Sequence, residues 1–494
     1  MKIILAGYNV DTDVLADLMK NSPNRADVTP ETLSASYARI SRDPRSIDEL
    51  RKAARSEVER SRKSNQAIIF KMGHHSVAEH AVFNFDILGL SRLAIEEVEH
   101  FRLCSFTEKS QRYITLENDF VIPEEIKNSS YADDFVKTIN IQNELYHKLH
   151  KNLYEHILKK HSDLASDPKN QNLLDGWAKE DARYITSLAT QGQLGHTLNA
   201  RNLELLLRRF ASNSLAEVRE LGQGLWNAVE KVAPSIILFY KANDYDQKTY
   251  KELKNVIKDM NVLRGSAKSK EEVILAGYTK NADDITAAAI MHTSSNISLK
   301  KCLNAVKKLS LEKKKELFKA AFKYMEFYDT TLRELEYADL TYDMVISASC
   351  FAQLKRHRLS TMTSQEYNPE LGLTIPQSIK DIGMEDEFKN VVNKTDKVYY
   401  KIKKDIPEAA TYILTNAHRR RVLFSCNTRE LYHISRLRED NHAQWDIRNV
   451  SAEMSSLAKN VMPLTMMLIC GKDVYPACYK DVFGQPPKLT MTGG

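Results

Sequence analysis

The sequence predicts an α+β protein folded twice over: two tandem copies of one fold, each a sheet packed with long helices. Three observations carry that expectation. The hexapeptide Ile3-Ile4-Leu5-Ala6-Gly7-Tyr8 returns as Val273-Ile274-Leu275-Ala276-Gly277-Tyr278, and long-range self-similarity marks a duplicated domain. The chain's 494 residues exceed what a single hydrophobic core serves and suit two domains of roughly 200–250 residues. After each hexapeptide, alternating and helix-period apolar stretches follow in the same order.

The first repeat is expected over residues 1–243, a linker over 244–270, the second repeat over 271–483 and a loose tail over 484–494. The opening apolar run is too short for a signal peptide, and Asp11 and Asp13 follow at once, so it reads as a buried strand. Phe83, Phe85 and Ile87 alternate on one face of a strand, as Leu340, Tyr342 and Met344 do in the second repeat. The spacing then turns helical over 92–102 and 346–358, and amphipathic helices are expected over 46–63, 134–160, 174–191 and 199–232. The segment 244–270 is charged and weakly patterned, with Gly265 inside a basic run, and reads as helix debris and a linker. Pro486-Pro487 and Gly493-Gly494 loosen the tail.

Composition narrows the function classes. With 43% apolar and 28% charged residues, and no apolar run near the roughly 20 residues a membrane helix needs, no membrane partner is expected. Six scattered cysteines without a Cys-x-x-Cys pair suggest neither a zinc cage nor a disulfide framework, and hence a reducing, cytoplasmic setting. A net charge of +6 suits phosphate-bearing small molecules, and no nucleic acid partner is expected. The runs His418-Arg419-Arg420-Arg421 and Lys313-Lys314-Lys315 read as solvated helix faces. No Gly-x-Gly-x-x-Gly or Walker loop occurs, and the spacing of His74, His75, Glu79 and His80 matches no metalloprotease motif, so no metal is expected.

Chemistry concentrates elsewhere. Arg356-His357-Arg358 stands at the C-terminal end of a predicted helix, where the macrodipole favours cations and guanidinium forks grip phosphate. Alone, the triplet reads as readily as a solvated basic turn. Its company changes the reading: Gln353 stands one turn earlier, and downstream Asn427 is a candidate N-cap, Arg429 and His433 share a helical face, and Arg438 and Gln444-Trp445 follow.

These spaced motifs resemble the flavin-dependent thymidylate synthases, the thymidylate synthase complementing protein family. The resemblance covers nearly all of both halves, yet neither carries the full signature. The first repeat keeps Gly73-His74-His75-Ser76-Val77-Ala78-Glu79-His80, Glu108-Lys109-Ser110-Gln111-Arg112-Tyr113 and Arg183, but has Glu97, His100, Phe101 and Arg102 in the basic turn, Arg209 one residue short, and Leu215 in place of a glutamine. The second keeps Gln353, Arg356, His357, Arg358, Asn427, Arg429, His433, Arg438 and Gln444-Trp445, but has Thr331 near the expected histidine and Thr411 in place of the arginine.

The losses are nearly complementary, and the resemblance gives that a meaning. Sites in the family lie at subunit junctions of a homotetramer, so a homodimer of this chain forms a pseudo-tetramer with composite sites. The resemblance implies the two-copy fold of that family and FAD as cofactor, with NADPH and methylenetetrahydrofolate as co-substrates and dUMP as the nucleotide methylated to dTMP. Substrate binding falls by the same resemblance to Glu108, Ser110, Gln111, Arg112, Arg183, Gln353, Arg356 and Arg438. FAD falls to His74, Ser76, Glu79, Arg356, His357, Arg358, Asn427, Arg429 and His433. Arg438, Gln353 and His74 are the expected catalytic groups. Two alternatives stay open: C5-methylation of another uridine nucleotide such as UMP, and a non-catalytic flavin- or nucleotide-binding protein.

Overall fold

The computed structural model describes residues 1–11, 14–16, 20, 29–39, 47–56, 58–66, 75–112, 114–263, 265 and 271–488. Two four-stranded antiparallel sheets share one topology. In the first repeat, β1 (Lys2–Tyr8), β2 (Val82–Ser91), β3 (Cys104–Glu108) and β4 (Gln191–Asn199) lie in the order β1-β2-β4-β3. In the second, β5 (Val273–Tyr278), β6 (Asp339–Ser347), β7 (Thr361–Ser364) and β8 (Arg419–Asn427) lie in the order β5-β6-β8-β7. Even the irregularity repeats, because register shifts between Leu5 and Gly7 and again between Leu275 and Gly277. Mixed helix and sheet, built twice, is the architecture expected from the sequence.

The alternation in β2 and β6 does what the pattern predicts: Phe83, Phe85 and Ile87 are buried, as are Leu340, Tyr342 and Met344. Each central strand runs into a helix capped by its last serine. Ser91 Oγ accepts from Ala94 N at the start of Arg92–Glu99 and donates to Glu217 at 2.6 Å. Ser347 Oγ accepts from Cys350 N at the start of Ala348–Leu354 and donates to Asp446 at 2.5 Å. The second bond of each serine holds the helix start against a later helix, Ala216–Val229 or Trp445–Val461.

The chain divides into two compact units. The first comprises Met1–Ser266 with Ser378–Leu414, the second Ala267–Gln377 with Thr415–Gly494. The first unit thus takes in a stretch of the second repeat. Helix Glu385–Asp405 lies along helix Ala132–Lys160, where Gln142 Nε2, buried, donates to Thr395 Oγ1 at 2.8 Å and to Ile413 O at 3.0 Å. Lys148 pairs with Glu387 and Lys401 with Asp134 at the rim. Beyond this helix, Leu188 N donates to Leu414 O and Ala189 N to Tyr412 O, and the Tyr412 hydroxyl donates to Glu217. In the second unit, Tyr342 and Phe424 of the sheet pack with Leu431, Ile434, Ile447 and Met454 of the covering helices.

Several expectations are corrected. The period over 174–191 stops at Ala182, where a 3-10 turn, Arg183–Ile185, leads towards β4. That over 199–232 breaks into Ala200–Ala211 and Ala216–Val229, because Asn213 Oδ1 turns the chain by accepting from Leu215 N at 2.9 Å. The supposed linker carries a full helix, Asp244–Met260, opened by a capping box between Asn243 and Asp246. The basic run at 419–421 is not a helix face: it lies on β8, Arg419 paired with Glu272, Arg421 with Asp343, and Arg420 between the Phe351 and Tyr367 rings. The six cysteines are free thiols, and the end of the tail, 489–494, lies outside the described residues. No helix among the described residues is long and apolar enough to cross a membrane.

Candidate functional site

In the first unit, β3 ends on Glu108, and the turn after it carries Ser110, Gln111 and Arg112. Ser110 Oγ accepts from Arg112 N at 3.1 Å, and Arg112 Nε donates to Glu180 Oε2 at 2.5 Å. Glu180 lies in the last turn of helix Gln171–Ala182, and Arg183 is the next residue beyond that helix. The Arg183 side chain is 7% exposed. Burial pushes its guanidinium pKa down; Tyr184 and Glu180 oppose this, and the charges of Arg112 and Arg92 add to it. Three guanidiniums, with Glu180 and Glu96 among their partners, give a cationic, partly dehydrated locus suited to an oxyanion.

Arg92 escaped the sequence reading. It is buried at the start of helix Arg92–Glu99, with Glu96 3.3 Å away. A cation at a helix N-terminus opposes the macrodipole, and that misplacement was the available signal. Ser76 and Glu79 lie on the 3-10 turn His75–His80, where Glu79 bonds Arg201 of the Asn199-capped helix. His74 lies outside the described residues.

In the second unit, Gln353 is in the last turn of helix Ala348–Leu354, and Arg356, His357 and Arg358 follow it, the arginines half-buried and the histidine 3% exposed. Asn427 caps helix Thr428–Arg438 by accepting from Glu430 N at 2.8 Å. Arg438, at the far end, donates from Nε to His357 Nε2 at 2.9 Å and from Nη2 to Gln353 O at 3.2 Å. Gln353 Nε2 reaches Gln444 Oε1 at 3.4 Å, and Gln444 also caps the next helix. Burial, then the charges of Arg438 and His433, hold the His357 imidazole well below its ordinary pKa.

The fold therefore joins Gln353, His357, Arg438 and Gln444, with the His433 ring edge-on to His357 at 5.8 Å. It keeps Arg429 apart from that network: Arg429 donates to Thr331 O and to Glu336 Oε1, both at 2.9 Å. Counting back from Val82 and Asp339, which pair with the caps Asn199 and Asn427, Glu336 stands for Glu79, and counting on from those caps Arg429 stands for Arg201, so this pair survives in both repeats. Thr331 falls at the position of His74 and Thr411 at that of Arg183. The reverse replacement is as clear. Phe101 and Phe210 hold the positions of His357 and Arg438, and their rings meet edge to face at 5.8 Å where the second repeat has its arginine–histidine bond.

The family described as thymidylate synthase complementing protein matches this sequence twice, over residues 25–235 and 274–464. A Chlamydia muridarum protein named UPF0159 protein is 24% identical over 407 residues, covering 78% of this chain and 77% of its own length. A protein of Clostridium tetani named flavin-dependent thymidylate synthase is 28% identical over 46% of this chain and 86% of its own. A solved Helicobacter pylori structure, titled thymidylate synthase X with FAD and dUMP, aligns with 46% of this chain and 93% of its own at 20% identity. Its TM-score of 0.29 is too low to carry an argument.

Proposed function

This chain belongs to the thymidylate synthase complementing protein family, and from that premise we propose that it is a flavin-dependent enzyme that methylates dUMP reductively to dTMP. The one-carbon unit comes from methylenetetrahydrofolate and the reducing equivalents from NADPH. The working sites are composite: the first repeat gives the Ser110, Arg112 and Arg183 half and the second gives the Gln353, His357 and Arg438 half, in a homodimer acting as a pseudo-tetramer. One observation carries this reading. Each repeat has kept one set of polar groups and filled the counterpart of the other set, with Thr411 for Arg183 and an aromatic pair for the arginine–histidine pair.

Arg112 and Arg183 bind the nucleotide phosphate by charge-assisted hydrogen bonds, with Glu108, Ser110 and Gln111 on the same turn. Arg438, beside Gln353, stabilises negative charge that develops on a uracil carbonyl oxygen as the ring carbon becomes nucleophilic. The donor set of Arg356, Arg358, Arg429, Asn427 and His433 suits the diphosphate of FAD, with His74, Ser76 and Glu79 from the first repeat. His357 fits that role poorly, since its Nε2 already accepts from Arg438. Bound flavin supplies hydride chemistry that no side chain here can. Cys104 needs no role: its thiol is buried and donates to Phe101 O.

The test begins with FAD reconstitution, flavins counted per chain and the visible spectrum followed as dUMP, or UMP in parallel, is added. One FAD per chain, a dUMP-dependent shift and dTMP formation are expected. Arg438→Ala or Arg183→Ala then lowers turnover by about 100-fold or more, while Thr411→Ala and Phe101→Leu change it little. Equal losses at Arg183 and Thr411 would overturn the asymmetric sites. Flavin uptake without turnover would support a binding protein.

A further inference from the structure

We infer that Glu430 and His357 are positioning residues, a buried relay that holds the Arg438 guanidinium in its working orientation. The inference rests on the reading of Arg438 given under the proposed function, and reassigns His357 from the flavin to the arginine. Arg438 is the last residue of its helix, with a long side chain whose orientation costs entropy to fix. Among its bonds are Nε to His357 Nε2 at 2.9 Å and Nη2 to Gln353 O at 3.2 Å.

Because Nε2 accepts from Arg438, it carries the lone pair, and the single proton of the neutral ring sits on Nδ1. Nδ1 lies 3.7 Å from Glu430 Oε1, an ion-pair distance rather than a hydrogen bond, and has no hydrogen-bond partner among the described residues. Glu430 occupies the third helical position after the Asn427 cap, where a glutamate commonly folds back onto the cap backbone. Here it is 5% exposed, with the charges of His433 and Arg429 acting on its carboxyl and the His357 imidazole 3.7 Å away. A carboxylate at that distance acts on the Nδ1 proton through charge and so favours the tautomer whose other nitrogen can hold an arginine.

The first repeat supplies an internal control. Counted from the same caps, Asn202 stands for Glu430, Phe101 for His357 and Phe210 for Arg438. All three members of the relay are missing there together, and the two phenylalanines pack against each other. The Asn199 cap and the Glu79–Arg201 pair remain in that repeat, while the relay is lost together with neighbouring groups of the same half-site, His100 standing for Arg356 and Leu205 for His433.

The experiment compares wild type with Glu430→Gln, Glu430→Asp, His357→Phe and His357→Gln in the FAD-loaded full-length protein, reading kcat, KM for dUMP, flavins per chain and crystal structures. His357→Phe is expected to lower kcat about 100-fold and Glu430→Gln about tenfold, with KM within about threefold and flavin content unchanged. The amide oxygen of His357→Gln can accept from Arg438 Nε and should bring kcat back to within about tenfold of wild type; Glu430→Asp should likewise recover part of the loss. Flavin lost in step with activity in His357→Phe, or no recovery in His357→Gln, overturns the relay. Glu430→Gln preserves volume, so it reports even if a histidine variant fails to fold. If wild type makes no dTMP, the proposed function fails on its own. The relay is then decided by the crystal structures: a displaced Arg438 guanidinium in Glu430→Gln or His357→Phe supports it, and an unmoved one overturns it.

Discussion

His196 is a buried imidazole in a place built for an aromatic ring. It faces Phe85 across β2 and Phe106 across β3, and its counterpart in the second repeat is Phe424. Neither ring nitrogen has a hydrogen-bond partner among the described residues, and burial, against the nearby charge of Glu99, lowers its pKa to about 4. An unfolded histidine titrates near 6.5, so between pH 6.5 and 4 the unfolded chain binds the extra proton. The stability contribution is therefore complete above about 6.5 and is lost as pH falls towards 4, by up to about 3 kcal/mol. Urea unfolding midpoints of His196→Phe should fall less steeply over that window than those of wild type; equal slopes would remove His196 from the acid limb. Residues of this kind were poorly legible in the sequence. His196 lies in a strand without a motif around it. Glu430, three residues after an asparagine, has the pattern of an ordinary capping glutamate, so its contact with His357 emerges only once the helix is folded. Gln353, His357 and Arg438 stood out because they sit in motifs of the family the chain resembles, whereas the bond between Arg438 and His357, 81 residues apart, was not legible.

At the scale of elements, the two serine-capped helices show how much a short element depends on its ends. Ala348–Leu354 has seven residues, too few to be stable alone, and leads directly into Arg356, His357 and Arg358. Ser347→Ala removes a cap and leaves buried Asp446 without its hydroxyl donor, so a destabilisation of about 2 kcal/mol is expected in chemical denaturation. If Asp446→Ala and the double variant lose no more than the serine variant alone, the two groups act as one unit. A second prediction concerns the far end of helix Thr428–Arg438. A Cβ on Gly471 would come within 2.7 Å of Glu439 O, a backbone atom that cannot step aside. Gly471→Ala should therefore shift the chain next to Arg438 and lower both thermal stability and kcat, whereas Gly372→Ala, in open space but at positive φ, should affect stability alone. Strands and long amphipathic helices were readable because their periods are strict. The helix Asp244–Met260 was missed because its apolar residues, Tyr245, Tyr250, Leu253 and Ile257 among them, are exposed and dilute within charge.

For the molecule as a whole, repeat and compact unit are different divisions of the chain. Buried Gln142 bonds Thr395 and Ile413, and Glu217 receives the Tyr412 hydroxyl, so the first unit is finished by residues 378–414. A fragment ending at 266 should be insoluble or molten when expressed alone, and should become soluble when co-expressed with 267–494; circular dichroism and gel filtration decide it. A well-folded, cooperatively melting 1–266 would show that the borrowed segment is dispensable. The duplication itself was legible, since the hexapeptides and the caps repeat. The exchange was not, because a sequence repeat records ancestry while a contact records only where a chain comes to rest. The borrowed helix also bears on history. Where one half of a duplicated gene product is finished by a piece of the other, loss of the second copy would strip the first of residues 378–414, and selection would hold the pair together even where one copy's chemistry had worn away. The fused gene has become a one-way door.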